Sequence, residues 1–170
     1  MGCAIARDRF GLEVWRGVLP DARVEAESFD AVTLWDVIEH VPDPGALLWH
    51  CARVLRSGSL LALSTPDIGS PFARLTGRRW YELIRVHLYY FSRLTLTRLL
   101  TDTGFQIRYL RAHPHYFTLG HLAHRLAAYA PAPARALAAI LTPFPRLRAR
   151  LIPINLFDWI VIAAEKPSGR

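Results

Sequence analysis

Apolar residues along this chain fall into two patterns. Short continuous runs bounded by breakers predict buried strands. Phe29-Asp30-Ala31-Val32-Thr33-Leu34-Trp35 is one such run, and Ser59-Leu60-Leu61-Ala62-Leu63-Ser64-Thr65, stopped by Pro66, is another. Phe105 to Leu110 alternates like a strand, and Phe157 to Ala164 reads as the last one. Leu12-Glu13-Val14-Trp15 is a shorter strand-like piece. Helical spacing appears between these runs. Asp43 and Pro44 suit the cap and first position of a helix whose apolar face is Leu47, Leu48, Cys51, Val54 and Leu55, with Ser57-Gly58 as its stop. Ser92 caps a second helix over 93–103, with Leu96, Leu99 and Leu100 on one face and Gly104 after it. Residues 66–90 are aromatic and irregular. Strand, helix, strand, helix, strand predicts an α/β fold with a doubly wound, largely parallel sheet.

Residues 113–155 break this rhythm. Leu119, Leu122, Ala123, Leu126 and Ala130 share a helix face, and a second Ala/Leu helix is expected near 134–142. Prolines 131, 133, 143, 145 and 153 punctuate the stretch. A segment this long is not a plain loop, so a helical insertion over the sheet end is expected. It reads as core-packing helices, as a substrate lid, or as a patch for peripheral membrane contact.

Composition narrows the setting. The chain has 170 residues, enough for a single domain, and 52% are apolar against 21% charged, which excludes a disordered chain. No apolar run is long enough to span a bilayer, and the N-terminus lacks the apolar stretch of a signal peptide. Two cysteines, Cys3 and Cys51, exclude a disulfide framework and fit a reducing compartment, so a cytoplasmic location is expected, with membrane-peripheral contact as an addition. The net charge of +7 is uneven: residues 61–170 hold 15 bases against 5 acids. No carboxylate occurs between Asp102 and Asp158. Such a basic face can meet an acidic substrate, an anionic membrane or nucleic acid, but no recognition motif supports nucleic acid, and none is expected as a partner.

The segment Phe29 to Pro44, ending Trp35-Asp36-Val37-Ile38-Glu39-His40-Val41-Pro42-Asp43-Pro44, resembles the fourth strand and following turn of class I S-adenosylmethionine-dependent methyltransferases. The ubiquinone-biosynthesis O-methyltransferase group is the most similar. Arg53-Val54-Leu55-Arg56-Ser57-Gly58-Ser59-Leu60-Leu61 resembles the family's R-x-L-K-P-G-G-x-L, with serines for the proline and the second glycine. Ser64-Thr65-Pro66-Asp67 resembles the end of the fifth strand. His87-Leu88-Tyr89-Tyr90-Phe91-Ser92, then Leu96, Leu99, Leu100, Gly104 and Phe105, resembles the H-x-x-x-F-S block and its helix. The resemblance implies a Rossmann-like sheet, mostly parallel with an antiparallel last strand. It implies methyl transfer from S-adenosylmethionine, with oxygen of a small or lipid-linked acceptor as the target.

The family's opening strand, G-x-G-x-G turn and ribose-binding acid have no counterpart here. The sheet is therefore expected to be incomplete, N-terminally truncated and open along the 29–35 strand. That edge offers an alternative role, a non-catalytic partner that docks another chain there. Such a fragment is also expected to lack activity alone. The resemblance puts Trp35 and Asp36 beside the cofactor, and Asp21 in the loop that contacts its adenine, with Glu25 nearby.

Asp36, Glu39 and His40, at i, i+3, i+4 spacing, face one way if the turn is helical and can hold Mg²⁺; the alternative is local capping. His87 is the candidate base, with Tyr90 beside it and Trp80, Tyr81 and Tyr89 as acceptor-pocket walls. Arg78, Arg79 and Arg85 can hold an acceptor carboxylate or phosphate. His113, His115, His121 and His124 lack ordinary zinc spacing.

Overall fold

The computed structural model describes residues 2–20, 23–127 and 129–168. The elements in chain order are α1 (Gly2–Phe10), β1 (Phe29–Trp35), α2 (Pro44–Val54), β2 (Leu55–Pro66), α3 (Pro71–Thr76), α4 (Arg93–Asp102), β3 (Gln106–Ala112), β4 (His115–Thr118), α5 (Leu119–Leu126), α6 (Pro131–Leu141), α7 (Pro145–Arg148), β5 (Leu151–Ile154) and β6 (Trp159–Glu165). The main sheet has the order β1-β2-β6-β3. β1 and β2 run parallel, and β6 is antiparallel to both β2 and β3. The fold is thus α/β, Rossmann-like, with a mixed sheet in which β1, β2 and β3 run one way and the last strand, β6, runs antiparallel between β2 and β3.

Local chemistry explains the two main helices. The Asp43 carboxylate accepts from the Ala46 N–H, and Pro44 starts α2. Ser92 and Thr95 form a reciprocal capping box at α4, and Gly104 follows in a left-handed conformation at φ 91°. α2 buries Leu48, Cys51 and Val54, and α4 buries Leu96 and Leu100. With Leu61, Leu63, Ile160 and Ile162 from the sheet, most of these residues make one continuous core.

Three local expectations need correction. Leu12–Trp15 is not a strand: Leu12 and Trp15 are exposed, and among the described residues no strand lies beside them to take their backbone hydrogen bonds. α2 ends at Val54, not at Ser57-Gly58. Leu55 is already extended and pairs with Phe29, and residues 56–59 bulge out before Ala31 meets Leu60. Gly58 belongs to that bulge, with φ 78° and its N–H donating to the Lys166 carbonyl. The 66–90 stretch contains the short helix α3, capped by Ser70.

Between β3 and β6 lie β4, α5, α6, α7 and β5. β4 and β5 form a small antiparallel ribbon that periodicity did not show. No helix among the described residues is long and apolar enough to cross a membrane.

Candidate functional site

The site forms where β1 and β2 end side by side, with Trp35 opposite Ser64. This is the carboxyl end of parallel strands, the usual place for ligands in an open α/β sheet. The chain leaves β1 through Asp36, which has φ 55°. That left-handed conformation is uncommon outside glycine but more accessible to Asp than to most residues. It is held from β2: Ser64 Oγ donates to Asp36 Oδ1 at 2.6 Å, and the Asp36 N–H donates to the Ser64 carbonyl at 3.3 Å. Trp35 beside it is 53% exposed and forms a wall.

One 3₁₀ turn, Ile38–His40, follows. It buries Glu39 and leaves His40 exposed. Thr65 Oγ1 donates to Glu39 Oε2 at 3.0 Å, while buried Glu39 Oε1 has no hydrogen-bond partner. Burial raises the Glu39 carboxyl above its ordinary range, opposed by hydrogen bonds from the backbone and Thr65.

The segment 86–89 is tied to this turn. The Leu88 and Tyr89 N–H groups donate to the Glu39 carbonyl, and the Tyr89 hydroxyl donates to the Pro42 carbonyl. His87 is thereby delivered to Glu39 and His40, and ligand atoms of all three lie within 4.8 Å of one another. His40 Nδ1 is 2.9 Å from the Val86 carbonyl, and His87 Nδ1 is 2.9 Å from the Glu82 carbonyl. A carbonyl only accepts, so each Nδ1 carries a proton, and in the neutral ring Nε2 is the nitrogen with the lone pair. Burial lowers the half-buried His87 below its ordinary range.

This grouping differs from the Asp36, Glu39 and His40 set read from spacing. Asp36 is outside the three-residue cluster, and His87 is inside it. The Tyr90 hydroxyl is committed to the Ile84 carbonyl, although its ring lies 5.8 Å from that of His87. Asp21 lies outside the described residues. Trp80 is buried and donates to Asp158, and Arg78, Arg79 and Arg85 are exposed. Sequence reasoning missed Ser64 and Thr65 as the donors that fix Asp36 and Glu39. It also missed a cavity of about 290 Å³ lined by Trp35, Asp36, Ser64, His113, His115 and Tyr116. No pattern in the chain links residues 35–36 to 113–116; only the strand order does.

A family model described as a methyltransferase domain matches residues 6–110. The chain belongs to the methyltransferase domain family. A stretch of 44 residues is 52% identical to the ubiquinone biosynthesis O-methyltransferase of Hahella chejuensis, covering 26% of this chain and 18% of that protein. The matched stretch thus spans under a fifth of the curated relative. Among solved structures, the fold is similar to that of a SAM-dependent methyltransferase from Thermotoga maritima, with TM-score 0.59 and 20% identity over 96% of this chain and 68% of that one. It is also similar to a chain from the complex between the Haloferax volcanii Trm112 methyltransferase activator and a methyltransferase, with TM-score 0.58 and 15% identity over 96% of this chain and 67% of that one. At these identities the structural likeness concerns the fold.

Proposed function

We propose that this methyltransferase-family chain takes part in methyl transfer from S-adenosylmethionine to a hydroxyl oxygen of a small acceptor. The observation that carries this reading is the convergence of Glu39, His40 and His87 just beyond the carboxyl ends of β1 and β2, with Asp36 held next to them by Ser64. The partial match to an O-methyltransferase supports oxygen as the target.

The unpartnered Glu39 Oε1 and the two imidazoles oriented by carbonyls fit a divalent cation. One carboxylate and two imidazoles suit Mn²⁺ or Zn²⁺ better than Mg²⁺, which prefers oxygen ligands. A cation held there would act as a Lewis acid on an acceptor oxygen. The chain's own contribution is positioning. Thr65 fixes one Glu39 oxygen, and the Val86 and Glu82 carbonyls fix the two rings. Ser64 fixes Asp36.

We infer the acceptor's attachment from the insertion. Ile140, Phe144, Leu147 and Leu151 are exposed on the 113–155 segment, close in sequence to Arg146, Arg148 and Arg150. That combination supports an acceptor linked to lipid and contact with an anionic membrane surface. A second reading rests on β1. Among the described residues no strand covers its outer side, and Phe29 and Trp35 at its two ends are exposed. A protein partner docking on this edge would make the chain a non-catalytic module.

Incubation with methyl-labelled S-adenosylmethionine and catechol, with Mn²⁺, with Mg²⁺ or with chelator, tests the first reading. Labelled ether that rises with Mn²⁺ and is lost in E39Q is expected. No transfer by a folded chain under any of these conditions would contradict it.

A further inference from the structure

The cavity beside the Glu39 cluster has chemistry of its own. It is lined on one side by the ends of β1 and β2 and on the other by the link from β3 to β4 and the first residues of β4. Its walls include two exposed aromatic rings, Trp35 and Tyr116, and its polar groups include Asp36, His113 and His115. At about 290 Å³ it sits at the small end of ligand sites, room for a single ring. His115 is half-buried, and its ring packs 4.1 Å from that of Trp159 and 5.4 Å from that of Phe117. Those contacts, from β6 and from its own strand, fix the imidazole on a rigid element.

A metal-bound imidazole has no lone pair left for a proton. If His87 holds a cation through Nε2, with Nδ1–H already committed to a carbonyl, the base must come from elsewhere. We propose that the cavity between Trp35 and Tyr116 seats the acceptor ring and that His115 takes the proton from the acceptor hydroxyl. This inference rests on the methyl-transfer reading above. As the acceptor O–H bond breaks, its proton passes to an imidazole nitrogen of His115. The oxygen electron pair forms the new C–O bond to the sulfonium methyl, and the S–CH₃ bond breaks with its pair left on sulfur as a thioether. The imidazolium then releases its proton to solvent.

The surroundings of His115 suit a base. Burial lowers its pKa, so the imidazole is neutral at neutral pH. Asp36 and Asp158 pull the other way and stabilise the cation once formed, while His113 and Arg125 oppose it. Asp36 lines the cavity and also acts electrostatically on Glu39 and His87.

The test follows the imidazole carbon–proton NMR signals of the full chain while catechol is added, with and without S-adenosylhomocysteine. The His115 signal, assigned with H115Q, is expected to shift saturably and to titrate with pH below its ordinary 6.5. W35A, which truncates an exposed wall and leaves the core intact, is expected to weaken the catechol response at least tenfold. In the labelled-methyl assay, H115Q is expected to lose about 10²–10⁴-fold in kcat with KM little changed. Saturable shifts at other histidines with His115 unmoved overturn the pocket, as does S-adenosylhomocysteine binding with no catechol response. That last result leaves the methyl-transfer reading standing. A His115 that titrates above neutrality, or an unchanged kcat in H115Q, overturns its role as base. A catechol response at His115 without any response to S-adenosylhomocysteine supports the pocket and counts against methyl transfer instead.

Discussion

β1 and β2 lie side by side, run the same way and share an apolar composition, yet they differ in burial. In β1 only Leu34 is buried; in β2 Leu61 and every residue from Leu63 to Pro66 is. The difference is neighbours. β2 is paired on both sides, by β1 and β6, whereas β1 is paired on one among the described residues. Apolar sequence states that a strand can be buried; sheet order decides whether it is. The site uses this asymmetry. The well-packed strand supplies Ser64 and Thr65, and the one-sided strand leads into Asp36 and Glu39, which those hydroxyls hold.

The largest effect should come from truncating the covered strand. Leu63→Ala, at a fully buried position, is expected to cost about 2–5 kcal/mol in urea denaturation. Phe29→Ala, at a 42% exposed position of β1, is expected to cost under about 1.5 kcal/mol. Equal losses would break the comparison.

Next in size is a pH effect beyond the end of β2. Burial pushes the Glu82 carboxyl up from its ordinary 4.5 to about 7, against the pull of Arg125. Folding then favours the protonated acid, so the stability that Glu82 contributes is fully present below pH 4.5 and is lost as pH rises towards and through 7. The loss across that window is on the order of 3 kcal/mol. Denaturation midpoints of E82Q should show a shallower decline, with the part from Glu39 left; an identical pH slope would remove Glu82 as a source.

How far this was legible depended on range. Asp43 capping α2 and Ser92 capping α4 are contacts within three residues, and the chain states them directly. The resemblance over residues 29–110 anticipated the sheet. The Glu39, His40 and His87 grouping joins residues 47 apart, through backbone hydrogen bonds from Leu88 and Tyr89 that no periodicity encodes. The i, i+3, i+4 spacing nominated Asp36, but its positive φ and its bond from Ser64 place it outside the cluster. Leu12–Trp15 had strand composition and, among the described residues, no strand to pair with. His113 and His115 were weighed only as zinc ligands, because their proximity to Trp35 and Asp36 exists only once β3 is placed in the sheet.

Two smaller effects sharpen the picture. Thr65→Val removes the hydroxyl that donates to buried Glu39, and a loss of about 1–3 kcal/mol is expected in thermal or urea unfolding. A loss that disappears when Mn²⁺ is added would show the cation replacing that partner. Asp30→Asn breaks the exposed ion pair with Arg56 near the start of β1, and a change under about 1 kcal/mol is expected. A larger change would mean that the edge of β1 is held by that pair.

Calorimetric titration of the 170-residue chain with S-adenosylhomocysteine tests the central claim most directly. The account predicts micromolar binding at one site, weakened in D36N. A chain that unfolds cooperatively in urea, and so is folded, yet gives no binding heat at several temperatures would contradict it.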